Sequence, residues 1–379
     1  MYMVYLTYIF KILLYIFFLF LVCFLAQQSV DKKYVFRINS YVLSQTHNNK
    51  ISLLGLLFLS SYLGLYSCIC GPDGSFIADR EVYALKFHYN IFPKESSYGL
   101  FYLQSLLRSF TDNPFVLFFV VAFIFVFITL FAYNNCEMAS SFSLLLLCCS
   151  QYFLYGCYQL KQAIATALVA VAMSYFFNNK YLLAASFSLL AISFHEAALF
   201  VIPLLFLMKG SKNKLYNSFA IIMLLIFTLG FGLAGPRLVS TLQTAIPFLG
   251  DQLQSYLNDS GSLELTFSPL TAIKGFPLYI ISIYSLLYRD SLITDDRSNA
   301  SLIVLSIFAS LVTLTSMFFP WMWRFAELVY FPVMILGEKI YSIIDAKSKP
   351  LFSITVAGGF LFFTLRKVIM SYFIYGGIV

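Results

Sequence analysis

A group of polar residues stands at the ends of long apolar stretches, where ionisable side chains are costly to bury. Its members are Asp73, Arg80, Lys161, Gln162, His195, Glu196 and Arg324. Carboxylates and imidazoles can move protons, and lysine and arginine can hold anions such as phosphate. In membrane proteins, ionisable groups kept at depth usually line a cavity or a substrate path. The group therefore predicts a site for a charged ligand.

Several of these residues also have a purely structural interpretation. Lys161 and Arg324 can anchor helix ends by reaching toward the membrane interface, and the tryptophans beside Arg324 resemble an aromatic belt. His195 can simply end a span. Asp73 suits a turn in its Gly-Pro-Asp-Gly segment. The functional interpretation depends on the shared membrane face of the group, not on any single member.

The composition is that of an integral membrane protein. The 379 residues are 60% hydrophobic and 11% charged, well below the roughly one quarter charged of soluble domains. The net charge of +7 comes from basic residues scattered in short linkers, which argues against a nucleic-acid-binding surface. The cysteines lack metal-binding spacing and no phosphate-cradling glycine loop is found, so the sequence predicts no metal and no cofactor.

The elements that must position the polar group are apolar spans near the length that crosses a bilayer. Because lipid offers the backbone no hydrogen bonds, they predict an all-α fold, a polytopic transmembrane helical bundle of about 12 spans. One integral membrane domain over 1–379 is expected. The predicted spans are 4–26, 51–70, 115–133, 140–157, 161–177, 181–195, 197–208, 216–234, 270–287, 300–319, 325–342 and 351–368. The first is interpreted as a retained helix, with a signal peptide as the alternative.

The distribution of lysine and arginine predicts the orientation of the bundle. Alternate linkers, beginning with 27–50, hold most of the basic residues, which by the positive-inside rule places the N-terminus and two long loops outside. These outer loops are about 71–114 and 235–269. Within them, segments 98–110 and 239–257 have apolar residues at helical spacing and predict amphipathic helices.

Two of the predicted spans are short. Residues 161–177 and 181–195 would form helices of about 22 to 26 Å, against about 30 Å for the hydrocarbon core. Their polar ends, at Lys161 and His195, are therefore expected to lie below the headgroups, within protein rather than lipid.

At these two ends the sequence resembles the EpsG family of Wzy-like polysaccharide polymerases. Residues 161–165 (KQAIA) are similar to the family's Arg-Gln-x-x-Ala helix start, and residues 194–199 (FHEAAL) to its Phe-His-x-Ser-Ala-Leu. The chain departs from the pattern at Lys161, where the family has arginine, and at Ala197, where it has serine. Lysine keeps the charge but lacks the two-point fork of arginine.

Weaker similarity extends the resemblance to roughly residues 50 to 340. Gly71-Pro72-Asp73 with Tyr83, and Glu95 with Tyr98-Gly99, are similar to the family's Gly-x-Asp-x-x-x-Tyr and Glu-x-Gly-Phe segments. Arg324, before an apolar span near the end of the bundle, is also similar.

The resemblance implies an enzyme, a polyprenyl-diphosphate-dependent glycosyltransferase. Such polymerases join undecaprenyl-diphosphate-linked oligosaccharide units into O-antigen, capsule or exopolysaccharide at the outer face of the bacterial inner membrane. A hydroxyl of one unit would attack the anomeric carbon of the chain on another carrier and expel undecaprenyl diphosphate. A chain-length regulator and a flippase are the partners expected besides the lipid bilayer, and no nucleic acid is expected.

The implied site residues fall into two sets. The catalytic candidates are Asp73, Lys161, His195 and Arg324. The substrate-binding candidates are Arg80, Tyr83, Gln162, Glu196 and Arg237. Lys161 and Arg324 are expected to flank the donor diphosphate, where they stabilise the leaving group. The general base is left open among Asp73, His195 and Glu196.

A lipid-linked oligosaccharide flippase or other polysaccharide transporter is the alternative. It predicts related halves, interrupted helices and polar residues near mid-membrane, whereas the polar group here stands at helix ends and the halves show no repeat. A purely structural membrane partner ranks third, since it needs no buried charged group.

Thiol labelling checks the predicted orientation. In a cysteine-free variant, a cysteine at Ser211 should be shielded from an impermeant reagent added to intact cells, and one at Ser260 should react. The reverse labelling pattern would invert the map and move the site to the cytoplasmic face.

Overall fold

The computed structural model describes residues 2–28, 36–38, 41–43, 51–69, 77–89, 91, 97–211, 222, 269–296, 298–317 and 322–373. Within these residues the chain is helical apart from one antiparallel hairpin, β1 (Phe36–Ile38) and β2 (Tyr41–Leu43). This agrees with the all-α fold predicted from the sequence. That prediction rests on the fact that a helix satisfies its own backbone hydrogen bonds in lipid.

The helices, in chain order, are α1 (Tyr2–Gln28), α2 (Leu53–Ile69), α3 (Ile77–Tyr89), α4 (Tyr98–Arg108), α5 (Pro114–Asn135), α6 (Ser141–Cys149), α7 (Tyr155–Tyr158), α8 (Leu160–Phe177), α9 (Tyr181–Phe194), α10 (Val201–Ser211), α11 (Pro269–Ile273), α12 (Phe276–Leu287), α13 (Arg289–Asp295), α14 (Asn299–Thr315), α15 (Trp323–Leu328), α16 (Tyr330–Ile343), α17 (Ser348–Ser353) and α18 (Gly359–Phe373). Short 3-10 segments, Gln151–Leu154 and Glu196–Phe200, lead into α7 and α10, and a π segment, Ile354–Gly358, joins α17 to α18.

Four helices in the described residues are long and apolar enough to cross a bilayer: Tyr8–Gln27, Pro114–Asn135, Leu160–Phe177 and Ser348–Ile369. A fifth exists if Ser141–Cys149 and Gln151–Tyr158, which meet at 59°, form one bent span. Five further apolar helices of 10–17 residues coincide with other predicted spans. The chain is a membrane protein. Twelve spans remain a prediction, since 216–234 lies outside the described residues apart from position 222, as does the amphipathic segment 239–257.

Two of the predicted spans, 140–157 and 325–342, are each divided into shorter helices, and a residue near each break explains it. At Ser150, the hydroxyl donates to the Leu147 carbonyl at 2.6 Å and accepts from the Tyr152 N–H at 3.3 Å, so it ends α6 and starts the next segment. Between α15 and α16, Pro332 has no N–H for the carbonyl four residues earlier, which disfavours a continuous helix there.

The chain divides into two compact units, and the first comprises Met1–Ile202 and Lys347–Val379. Its central helix is α8, which packs against α5 and α9. The alanines of α8 are fully buried: Ala163, Ala165, Ala167, Ala170 and Ala172. In lipid, helices associate through close van der Waals contact, and small side chains let their backbones approach.

A tight turn joins α8 to α9 and makes them antiparallel. Asn179 adopts φ 60°, a left-handed conformation that asparagine tolerates better than most residues. The Lys180 N–H donates to the Tyr175 carbonyl at 2.8 Å and thereby closes the end of α8. The first turn of α8 and the last turn of α9 consequently lie at the same end of this hairpin.

The second unit comprises Pro203–Ala346. In it α14 packs against α12 and α16, and hydroxyl groups link the helices. The Ser282 hydroxyl donates to the Ser306 carbonyl at 2.8 Å and lies 2.7 Å from the Ser310 hydroxyl. The Ser301 hydroxyl donates to the Met208 carbonyl at 3.0 Å. Such bonds between helices help association where no hydrophobic driving force exists.

Candidate functional site

His195 lies at the junction between α9 and the 3-10 segment that follows. Its extended backbone, φ −153° and ψ 120°, turns the chain sharply there. The residue is 5% exposed, and its Nδ1 lies 3.5 Å from Oε2 of Glu196, whose side chain is 24% exposed. The distance allows an ion pair when the imidazole carries a second proton, although the two atoms lack hydrogen-bond alignment. A buried imidazole beside a partly exposed carboxylate can accept and pass on a proton.

The outer-loop helix predicted over 98–110 is present as α4, and it packs directly against the end of α9. At Gly99 the two helices are so close that a Cβ would lie 2.7 Å to 2.9 Å from ring atoms of Phe194. Phe194 immediately precedes His195. The glycine therefore lets α4 pack beside the His195 junction and brings segment 98–110 against segment 194–199.

The first turn of α8 carries Lys161 and Gln162. Gln162 is buried and Lys161 is half-buried. The backbone N–H groups of a first helical turn have no partners within the helix, and they give this end a partial positive charge. Because α8 and α9 are antiparallel, Lys161, Gln162, His195 and Glu196 stand at one end of the α8–α9 hairpin. Their chemical roles remain predictions.

Arg80 is buried, at 4% exposure, and fastens α3 to three other helices. Its guanidinium donates to the Cys157 carbonyl at 2.9 Å and to the Ser67 carbonyl, and it stacks over the Phe118 ring at 3.8 Å. Both carbonyls belong to the last turns of helices, α7 and α2, where acceptors lack intrahelical donors. Arg80 therefore acts as a shared C-terminal cap, a favourable place for a cation. Tyr83, one turn further along α3, is half-buried.

Arg324 belongs to the second unit, in the short helix α15, and is half-buried. Glu327, one turn later, is fully buried. Glu327 falls inside the predicted span 325–342, so no sequence signal marked it as a site residue. Lys161 and Arg324 stand in different units, so their joint action on one diphosphate remains a prediction.

The other two predicted site residues, Asp73 and Arg237, lie outside the described residues. In the part of the chain that the structure describes, no three His, Cys, Asp or Glu side chains are grouped so as to hold a metal ion.

The structure adds one charged residue to the first unit, Lys367 of α18. Its ammonium group donates a hydrogen bond to the Tyr158 hydroxyl and lies 4.7 Å from the centroid of that ring. The Tyr155 ring is 5.7 Å away. Sequence reasoning missed Lys367 because Arg366 precedes it, and the pair resembles an ordinary basic end of a span. Its contact with α7, more than two hundred positions earlier in the chain, is what distinguishes Lys367 from an ordinary basic residue at the end of a span.

A family model described as the EpsG family matches residues 78–377 of this sequence, most of the chain. The chain belongs to the EpsG family. No curated protein and no solved structure matches it. The family is associated with polysaccharide polymerisation, in agreement with the resemblance seen in the sequence.

The EpsG match begins in α3, beyond Asp73, and includes every other predicted site residue. Within it, Asp79 precedes Tyr83 by four residues, which is the Asp-x-x-x-Tyr spacing of the family segment noted above. Asp73 is ten positions from Tyr83. Because Ile77 stands where that segment has glycine, Asp79 matches the spacing to Tyr83 alone.

The contact between Gly99 and Phe194 predicts the effect of one added methyl group. Gly99→Ala should lower the thermal unfolding midpoint of the purified protein, because overpacking typically costs about 1 to 3 kcal/mol. Gly358→Ala is the matched control, since a Cβ there meets a single atom at 4.0 Å. Adding Phe194→Leu to Gly99→Ala should recover part of the loss. Equal midpoints for the two single alanine variants would show that α4 is not tightly seated on α9.

Proposed function

We propose that this EpsG-family protein is a polymerase that joins undecaprenyl-diphosphate-linked oligosaccharide units on the outer face of the bacterial inner membrane. The observation that carries the proposal is the family match over residues 78–377. The product would be O-antigen, capsule or exopolysaccharide. A twelve-span bundle with the loops 71–114 and 235–269 outside would put the open end of the α8–α9 hairpin at the outer surface.

The reaction needs a proton acceptor and a stabiliser of negative charge. The oxygen of an attacking hydroxyl forms a bond to the anomeric carbon, and the bond from that carbon to the diphosphate oxygen breaks. The electron pair stays on the diphosphate, and the hydroxyl proton passes to a base. His195 and Glu196 support this role through their proximity, with Asp73 as a further candidate.

Charge on the leaving diphosphate is the other requirement. Lys161 stands at the positive end of α8, where a cation and backbone N–H groups both favour phosphate. Lysine and arginine that are already oriented in a water-poor site stabilise developing charge strongly. Arg324 and Arg237 are the further cations proposed for this task. Gln162 and Tyr83 are proposed to contact the sugar, whereas the contacts of Arg80 favour a positioning role.

A flippase remains the second candidate because of one specific observation. The 59° break between Ser141–Cys149 and Gln151–Tyr158 is the kind of interrupted helix found in transporters. The family match favours the polymerase. A separate flippase and a chain-length regulator would then act with this protein.

Loss of the gene distinguishes these functions. In a deletion strain, surface carriers should be capped with a single repeat unit, because export continues while joining stops. The measurement is the length distribution of surface glycan. Carriers that retain their unit on the cytoplasmic side, with none exported, would instead support the flippase.

Charge removal tests the roles of Lys161 and Arg324. Lys161→Gln and Arg324→Gln should each slow polymerisation roughly tenfold to hundredfold, since charge-assisted contacts contribute about 1.5 to 3 kcal/mol. Lys161→Arg should keep substantial activity, because the family has arginine there. Polymer length is measured in the complemented deletion strain, with membrane abundance checked by an epitope tag.

Lys180→Gln is the control for these variants, because Lys180 is exposed at the opposite end of the α8–α9 hairpin. Normal polymer from well-expressed Lys161→Gln and Arg324→Gln proteins would make both residues interfacial anchors.

A further inference from the structure

The short helix α7 is held by two cations that come from distant parts of the first unit. Arg80 binds the Cys157 carbonyl, and Lys367 binds the hydroxyl of the next residue, Tyr158. Lys161 follows three residues later, in the first turn of α8. Three positively charged side chains are therefore associated with the segment 157–161. We call Lys367, Tyr158 and Tyr155 the α7 lysine site.

Contacts on α18 place Lys367 beside α7. One turn earlier on α18, the Thr364 hydroxyl donates to the Cys149 carbonyl at 2.8 Å, which holds α18 against the end of α6. The ammonium group then donates to the Tyr158 hydroxyl, and it lies 5.7 Å from the centroid of the Tyr155 ring. Cation–aromatic contacts help to orient a charge. A preorganised cation of this kind favours the arrival of an anion.

Two comparisons argue against a simple interfacial anchor. Arg366, on the same turn of α18, is exposed and is available to anchor the helix end, whereas Lys367 is half-buried. Lys180 lies 5.9 Å from the Tyr175 ring, but it is exposed, as an anchor should be. Lys367 differs from both because it is half-buried against Tyr158 and Tyr155 of α7.

A further buried polar group belongs to the same unit. Tyr15 of α1 is fully buried, and its hydroxyl has no hydrogen-bond partner within the described part of the chain. It lies within electrostatic range of Cys157 and Tyr158. A buried hydroxyl without a partner is costly, and it can donate to an acceptor oxygen when a ligand supplies one.

The chemistry of joining two carriers requires two phosphate-binding places. One diphosphate leaves as its bond to the sugar breaks, and the other stays esterified to the unit whose hydroxyl attacks. The first needs charge stabilisation that grows during the reaction, whereas the second needs only binding. Lys161, Arg324 and Arg237 are proposed for the first, so the second has no cation assigned to it.

We propose that the α7 lysine site binds the diphosphate of this second carrier, the one that is retained. The inference rests on the proposed function and names a residue, Lys367, for a task that the predicted set leaves unassigned. Its ligand is a lipid diphosphate headgroup. Arg80 contributes by fixing α7 through the Cys157 carbonyl.

The test uses full-length protein purified into phosphatidylcholine nanodiscs, with undecaprenyl diphosphate as the probe. Native mass spectrometry should find two carriers on the unaltered protein and one on Lys367→Gln. Lys367→Arg should keep both, since it keeps the charge, and Arg366→Gln is the matched control that should also keep both.

A kinetic measurement uses lipid-linked repeat units as the substrate. Lys367→Gln should raise KM about tenfold and leave kcat unchanged, because the substitution weakens binding of the substrate and of the transition state equally.

The outcomes separate this inference from the proposed function. Two carriers on Lys367→Gln, or an unchanged KM, would overturn the inference alone. In a second set of nanodiscs that also contain phosphatidylglycerol, a Lys367→Gln protein that loses bound phosphatidylglycerol and keeps both carriers would show a bulk-lipid headgroup site and would also overturn it. An unaltered protein that polymerises while binding a single carrier contradicts the second site only, and one that neither binds carriers nor polymerises contradicts both proposals.

Discussion

Close packing of α8 against its neighbours is the interaction on which the candidate site depends. A helix rich in alanine and fully buried at those positions can approach α5 and α9 closely, and in lipid this contact replaces the hydrophobic effect as the source of association. The left-handed turn at Asn179 then reverses the chain within three residues. Together these features fix where Lys161 and His195 stand, because each lies one helix length from the turn.

Polar side chains of the first unit donate hydrogen bonds to backbone carbonyl groups at helix ends. Helix interruptions leave carbonyl groups without intrahelical donors, and lipid cannot supply the missing hydrogen bonds. Arg80 binds two such carbonyls, and Thr364 binds a third at the end of α6. A cation that caps helices is therefore not by itself a sign of catalysis. The contacts of Lys367 include side-chain groups, namely the Tyr158 hydroxyl and the Tyr155 ring.

Sequence patterns predicted the local elements well where apolar length and polar ends decide them. The spans 161–177 and 181–195 differ from α8 and α9 by one residue at a single end, and α4 begins where its pattern begins. The break at Ser150 escaped prediction, because whether a serine caps a new segment or stays within a helix depends on tertiary packing. The cap by Arg80 and the contact of Lys367 join residues 77 and 209 positions apart, so no local pattern could show them.

The central claim is that this chain alone joins lipid-linked units. The most direct measurement is reconstitution of the purified full-length protein into liposomes with undecaprenyl-diphosphate-linked repeat units and no sugar nucleotide. The account predicts a ladder of longer glycans, with one free undecaprenyl diphosphate released for each new linkage. Transfer of intact units across the bilayer without any ladder would contradict it and identify a transporter.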